Sequence, residues 1–385
     1  MELFGYQRRD GRVGVRNHLL ILSSVVCANE AALRIKRRVP QAAIVTHPFG
    51  CGMLGEDFDQ VKRTLLGFAT HPNVGAVIVV GLGCEEIDST ELAGEMRRHG
   101  QRAESLAVQN CGGTQRTVKQ GVELGRQMNK ILADQTRTKS SISELIMATE
   151  CGGSDFSSGL AANPAIGYAS DRLIELGGTV ILSETAEIIG AEHILASRAI
   201  NERVAKKIHA AVDGVEESAR RAGVDIRGAQ PSPGNIRGGI SSIEEKSLGC
   251  IYKAGTKPVQ GVLEYAEPIQ GKGLWIMDTP GQDVESLTGM VAGGAQIAAF
   301  STGLGTPVGC PIAPVIKITG NDKTAQSMRS HIDINTGAIL KGRDTIKGVG
   351  EKILRLLLAV ANGKPTKAER LGHCEFAITR IEKTI

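Results

Sequence analysis

The chain has 385 residues, 41% of them hydrophobic and 22% charged, with a formal net charge of +4, which is enough material for two or three domains with their own cores. Aromatics make up only 3% and no basic block is interleaved with them, so nucleic-acid binding has little support. The longest apolar runs, GAVIVVGLG at 75–83 and ILRLLLAVA at 353–361, fall well short of the roughly 18 residues of a membrane helix, and MELFGYQRRDGR lacks the apolar core of a signal peptide. A cytoplasmic location is the expectation.

In chain order, the apolar segments HLLILSSVVCA (18–28), AAIVTHPFG (42–50), GAVIVVGLG (75–83) and ESLAVQN (104–110) alternate with stretches of helical character, the clearest being TQRTVKQGVELGRQMNKILAD (114–134). Such alternation predicts a parallel α/β unit. The polar stretch QTRTKSSIS (135–143) reads as a linker or crossover. The pattern then restarts with ELIMATE (144–150) as strand, AANPAIGYASDRLIEL (161–176) as helix, TVILSET (179–185) as strand and one long helix from about Ala191 to Ala222. GAQPSPGNIRGG (228–239) interrupts the periodicity. GLWIMDTPG (273–281) and AQIAAFSTG (295–303) read as further strands, and KGVGEKILRLLLAVANG (347–363) as an amphipathic helix closed by Gly363. The expected fold is α/β, with parallel or mixed sheets flanked by helices in two Rossmann-like domains. One spans residues 1–134; the other spans 144–385 and carries much of the active site.

Eight cysteines in a long chain without a secretory leader point to thiol or metal chemistry before disulfides. Cys51, Cys84, Cys111 and Cys151 each follow directly on an inferred strand, at the edge where open α/β sheets bind ligands. Cys27, Cys250, Cys310 and Cys374 have unremarkable neighbours and read as core filler. The cysteine spacings match no compact zinc or iron–sulfur motif. His193 with Glu184 and Glu187 forms a loose imidazole and carboxylate set, suited to a divalent metal only where the loop folds back; the alternative places His193 at the start of a helix. His47 is equally open, whereas His71, His99 and His209 read as solvent-facing. Arg16, Asn17, Asn235 and Lys246 lie beside glycine-rich turns, where such groups hold carboxylates. No GxxxxGK[ST] is present and no strand leads into GxGxxG, so nucleotide binding is set aside.

ECGGSDFSSG at 150–159 concentrates the most chemistry. After a strand and before a helix, Gly152 and Gly153 permit close approach to a ligand, and Ser157 or Ser158 is placed to cap the helix. Its N–H groups then face an anion. Together the loops suit removal of a group beta to a carboxylate, which needs a base for the alpha proton and a Lewis acid.

Whole phrases carry a resemblance: DGRVGVRNHLLIL, HPFGCG, GLGCE, QNCGGT, ECGGSDFSSGLAANPAIG, SETAEIIGAEHIL, PSPGNIRGGISSIEEKSLG, DTPGQD and TGLGTPVG. From Gly5 to Gly337 the chain resembles the altronate and galactarate dehydratase family, sugar-acid lyases dependent on iron or another divalent metal, which also includes the large subunit of sulfolactate sulfo-lyase. The resemblance implies elimination of water from a sugar acid to a 2-keto-3-deoxy acid, or release of sulfite and pyruvate from (2R)-sulfolactate. A non-catalytic sugar-acid-binding subunit is the rival reading. Among the matched positions it implies Cys51, Cys84, Cys151, Glu184, Glu187 and His193 as metal ligands. Glu150, Cys151, Asp155 and Lys246 would act in catalysis, and Arg16, Asn17, Gly153 and Asn235, with Lys246, would hold the substrate. Fe2+ is the foremost metal, with Mn2+ or an iron–sulfur cluster as alternatives. Single-chain members begin with a small extra domain, whereas this chain starts at GYQRRDGRVGVRNH; the resemblance then implies either a separate small subunit of about 100 residues, the size of a small domain, or a chain that works without it, and in both cases an oligomer is the expectation.

Overall fold

The computed structural model describes residues 2–381. The antiparallel pair β1 (Leu3–Gln7) and β2 (Val13–Gly14) opens the chain. Four parallel strands follow, β3 (His18–Ser23), β4 (Ala43–Val45), β5 (Val74–Gly81) and β6 (Ala103–Ala107), in the spatial order β4-β3-β5-β6. Leu20 and Leu22 face one helical layer and Leu19 and Ile21 the other. A strand buried on both faces needs an unbroken apolar run, and HLLIL supplies it.

The segment expected as a linker contains a strand, β7 (Thr138–Ser140), which returns antiparallel to β1. Pairing with β1 satisfies backbone groups that a free linker would leave to water. The second half holds seven parallel strands: β8 (Ile146–Cys151), β9 (Thr179–Leu182), β10 (Val259–Leu263), β11 (Gly273–Met277), β12 (Ile297–Ser301), β13 (Val315–Thr319) and β14 (Ile334–Asn335). Their order is β10-β11-β9-β8-β12-β13-β14. The chain leaves β8 toward β9 on one side and reaches β12 on the other, so the crevice between β8 and β12 is the topological switch point.

The long helix expected over 191–222 is two helices, Glu192–Ala196 and Glu202–Arg221. Between them Ala199 bridges to Val259, and the Asn201 side chain accepts from the Val204 N–H to start the second helix. A tertiary contact and a new cap therefore override helical periodicity. Gly363, at φ +107°, ends the helix Ile346–Ala361 as expected.

The two halves share one core. Leu20, Leu22, Val77 and Val79 of the smaller sheet join Leu65 and Phe68 of the helix Gly55–Ala69, and these meet Leu287, Met290 and Val291 of the helix Asp283–Ala292. Gly67 permits the crossing, because a Cβ there would lie 2.4 Å from the Ala292 carbonyl oxygen. His71, expected at the surface, is buried at this seam. Its Nε2 bonds the Ala295 carbonyl at 3.1 Å and its Nδ1 accepts from the Asn73 N–H at 3.0 Å. Asn73 in turn donates to the carbonyls of Gln296 and Ile312. The amino ends of β5 and β12 are thereby tied side by side. Among the described residues no helix is long and apolar enough to cross a membrane.

Candidate active site at the carboxyl edge of the larger sheet

Three chain segments converge at the switch point. β8 delivers Glu150 and Cys151; β9 runs into Glu184 and the short turn Thr185–Glu187; the helix Ile243–Ile251 carries Lys246 and Cys250, with Lys253 in the next turn. Lys246, Cys250 and Lys253 are spaced i, i+4 and i+7, so one helical face presents all three.

Glu187 is the hub. Its Oε2 accepts from the thiols of Cys151 at 2.6 Å and Cys250 at 2.9 Å, and the two sulfurs lie 3.4 Å apart. Lys246 Nζ is 3.1 Å from Glu187 Oε1. Lys253, fully buried, places Nζ 3.0 Å from Cys151 Sγ, 3.2 Å from Glu184 Oε2 and 3.5 Å from Glu187 Oε2. Burial alone would raise the Glu187 carboxyl, yet Lys246 and Lys253, helped by both thiols, hold it at about 2. Burial lowers and the surrounding anionic groups raise the Lys253 ammonium, which ends well above its ordinary value. A buried ion cluster of this kind persists only where each charge is paired.

Glu184 and Glu150 form the second layer. Glu184 has φ +63°, a left-handed conformation unusual outside glycine. Its backbone N–H donates to Thr279 Oγ1 at 2.7 Å, which holds that strained turn, and its carboxyl shares a hydrogen bond with Glu150. Burial first, then the Glu187 charge, raises the Glu184 carboxyl to about 7 against the pull of Lys253. Glu150 accepts from Ser286 Oγ at 2.7 Å and Ser183 Oγ at 3.2 Å. Burial and then the Glu184 charge push its carboxyl well above the ordinary carboxylate range. Asp283, raised to about 6 by burial and Glu187, lies where a Cβ on Gly152 would meet its Oδ2 at 2.0 Å. Glycine at 152 thus admits a carboxylate.

Other sequence-expected residues go elsewhere. Asp155 Oδ1 accepts from Ser157 N, Ser157 Oγ and Ser158 N, and Oδ2 from Asn321 Nδ2 at 2.8 Å. Asp155 caps the turn that Ser157 or Ser158 was expected to cap, with its oxygens engaged as an anchor. Asn235 donates to the Ser154 carbonyl at 2.9 Å and accepts from Ser232, so it braces the same loop. Gly153, at φ +58°, accepts at its carbonyl from the N–H groups of Gly303 and Leu304. Its close approach is to the 303–304 loop. Arg16 and Asn17 precede β3, at the opposite end of the smaller sheet from its ligand edge. Arg16 is held in two bonds by Glu369, at 2.7 and 3.0 Å, and Asn17 accepts from Arg8 and donates to the Leu132 carbonyl. Their expected substrate contacts are replaced by structural ones. His193 is exposed on its short helix, apart from Glu184 and Glu187, and Cys51 and Cys84 are exposed at the edge of the smaller sheet.

Cys250 and Lys253 were missed. Cys250 was read as filler because its neighbours are ordinary; the available signal was its helical register with Lys246 and Lys253. A cavity of about 450 Å³ opens beside the cluster, lined by Asp155, Ser158, Asn163, Lys246 and Cys250. The larger hollow, about 890 Å³ beside Arg38 and Arg116, contains none of the clustered groups, so chemistry rather than size identifies the site.

One thiol pair and a carboxylate oxygen, from Cys151, Cys250 and Glu187, lie within 4.8 Å of one another, a donor set that could hold a metal ion. The chemistry fits a borderline divalent ion, because ionising both thiols leaves negative charge that Lys246 and Lys253 offset.

Two family models match the chain in succession: "D-galactarate dehydratase/Altronate hydrolase, second domain" over residues 5–133 and "D-galactarate/Altronate dehydratase, C-terminal" over 142–384. (2R)-sulfolactate sulfo-lyase subunit beta of Chromohalobacter salexigens is 37% identical over 379 residues, covering 98% of this chain and 97% of that one. Altronate dehydratase of Bacillus subtilis is 34% identical over 392 residues, covering 99% of this chain and 78% of its own. Galactarate dehydratase (L-threo-forming) of Escherichia coli is 35% identical over 396 residues, covering 97% and 76%. Matched by two family models in succession and nearly from end to end by relatives whose names are those of lyases, the chain belongs to the D-galactarate/altronate dehydratase family.

Proposed function

We propose that this chain eliminates water from a sugar acid of the altronate or galactarate kind, giving a 2-keto-3-deoxy acid. The supporting observation is Glu184, a buried carboxyl near 7 backed by Glu150 and set against Lys253 beside the Cys151–Cys250–Glu187 cluster. A base takes the proton from C2, hydroxide leaves C3 and the resulting enol becomes the 2-oxo acid. Glu184 has the pKa that suits a general base at neutral pH, and Lys253 stabilises its ionised form. Lys246, partly exposed beside Cys250 in the cavity wall, offers an ammonium to the substrate carboxylate. Glu150, its carboxyl raised by burial, is the acid reserve behind Glu184. Cys151, Cys250 and Glu187 would hold a divalent ion, Fe2+ foremost, which when bound supplies Lewis-acid stabilisation of charge on the reacting oxygens.

A second reading has its own support: the chain covers 97% of a relative named as a sulfo-lyase subunit but only 76–78% of the dehydratases. In that case sulfite leaves C3 of (2R)-sulfolactate, pyruvate is the product, and a separate small subunit of about 100 residues, a small domain in size, completes the enzyme. The test is a panel of aldonates, aldarates and (2R)-sulfolactate with ferrous iron and any small partner subunit supplied. Formation of 2-oxo acid from a sugar acid supports the first reading and sulfite the second; no product from any substrate overturns both.

A further inference from the structure

A second group of thiols lies outside the site just described. Cys27 follows β3, Cys51 follows β4 and Cys84 follows β5, three adjacent parallel strands, so their loops are neighbours on one sheet edge. The chain leaves β3 toward β4 on one side and reaches β5 on the other, which makes this edge the switch point of the smaller sheet. All three thiols are exposed, although free cysteine is among the residue types most often buried. No packing role accounts for them.

The loops are held firmly. The Val26 N–H donates to the Phe49 carbonyl at 2.8 Å, and Gly50 lies so close to residue 25 that a Cβ would meet Val25 Cα at 2.6 Å. Glu86 receives the N–H groups of Gly52 and Met53, and its own N–H donates to the Gly50 carbonyl. Glu85 ties the remaining pair: Oε1 accepts from Ser24 Oγ at 3.0 Å and Oε2 from the N–H groups of Leu82, Gly83 and Cys84. The backbone around each thiol is thus fixed relative to the other two.

Three exposed thiols on three adjacent, mutually bonded loops suit a shared inorganic centre. Among the described residues, the sets whose donor atoms all lie within 4.8 Å of one another do not include this trio. A single tetrahedral ion with thiolates at about 2.3 Å requires a tighter cluster, whereas an iron–sulfur core spreads its terminal thiolates by its own width. We propose that Cys27, Cys51 and Cys84 hold an iron–sulfur cluster through three thiolates, leaving one corner open at the sheet edge. Cys111 follows the neighbouring β6 but, unlike the other three, is only partly exposed and its thiol donates to Gln120 Oε1 at 3.3 Å, so the set is drawn without it. This centre is separate from the Cys151–Cys250–Glu187 set and stands whether or not the lyase reading holds.

The test uses the full chain, treated anaerobically with ferrous iron, sulfide and a reducing thiol, then freed of unbound metal. Iron and acid-labile sulfide should both be retained, with the visible absorption of a cluster and a paramagnetic signal on reduction. Cys27→Ser, Cys51→Ser and Cys84→Ser should each lose most of both while melting like the untreated parent, because the thiols are exposed; Cys111→Ser and Cys250→Ser should retain them. Iron without sulfide, no bound metal in a folded chain, or loss in Cys111→Ser overturns the three-thiolate cluster. Cluster content is read without turnover, so an inactive chain that holds the cluster leaves this proposal intact, and an active chain without it defeats this proposal alone.

Discussion

Cys250 Sγ lies 3.4 Å from Cys151 Sγ although the two residues are 99 positions apart, and both thiols donate to the same Glu187 oxygen. Cys250→Ser keeps a hydroxyl donor for Glu187 but removes the soft ligand. Turnover should fall by about ten-fold or more, since changes around a metal cost on that scale, while the melting temperature stays within a few degrees. Steady-state kinetics paired with thermal melting decide it: full activity in a folded variant rules out a role for this thiol.

Arg16 ties the start of β3 to the C-terminal segment through Glu369, and its other donors meet the carbonyls of Val15, Val360 and Lys364. Arg16→Gln should therefore cost about 2 kcal/mol of stability through the partly buried pair and its unsatisfied carbonyls, with KM unchanged. A raised KM at unaltered urea midpoint would restore the substrate-binding assignment.

His71 is held at about 3, mainly by burial, with Arg12 adding to the effect. Its unfolded value is about 6.5, so the unfolded chain binds more protons and stability falls with acidification. The contribution is complete above about pH 6.5 and diminishes as pH falls toward about 3, amounting to about 2 kcal/mol between pH 7 and pH 5. His18 and His47, both held at about 4 by burial, act in the same direction. Urea unfolding of His71→Gln at the two pH values should show a smaller pH difference than the parent by about that amount. An unchanged difference would mean that His71 is not a buried neutral group.

Gly152→Ala places a methyl on the Asp283 carboxylate, which sits 2.0 Å from the added carbon. Overpacking of this kind costs about 1–3 kcal/mol, and the displaced Asp283 lies beside the Glu187 cluster. Both urea midpoint and turnover should fall. Gly153→Ala meets nothing closer than Leu304 Cβ at 3.5 Å and suffers only the strain of φ +58°. It should lose about 1 kcal/mol. The prediction fails if Gly153→Ala is the more damaging of the two.

Period and punctuation carried the local reading. Continuous apolar runs such as HLLIL and GAVIVV specify strands buried on both faces, and glycine-rich loops after them mark the ligand edge of a parallel sheet. Glu150, Cys151, Glu184 and Glu187 were visible because they sit at strand ends, where local pattern implies position. What tertiary structure alone decided is which of these loops share a centre. Cys250 and Lys253 reach Glu187 from a helix whose local neighbours reveal no site, while Arg16, Asp155 and Asn235 look like ligand holders until their donors and acceptors are seen to be used by Glu369, Asn321 and Ser154. Hydrogen-bond capacity is a property of residue type, but its partner is chosen by distance in space. Burial, which raises Glu184, and the Lys246 and Lys253 charges, which hold Glu187 low against its own burial, come from segments distant in sequence, and no local pattern encodes them.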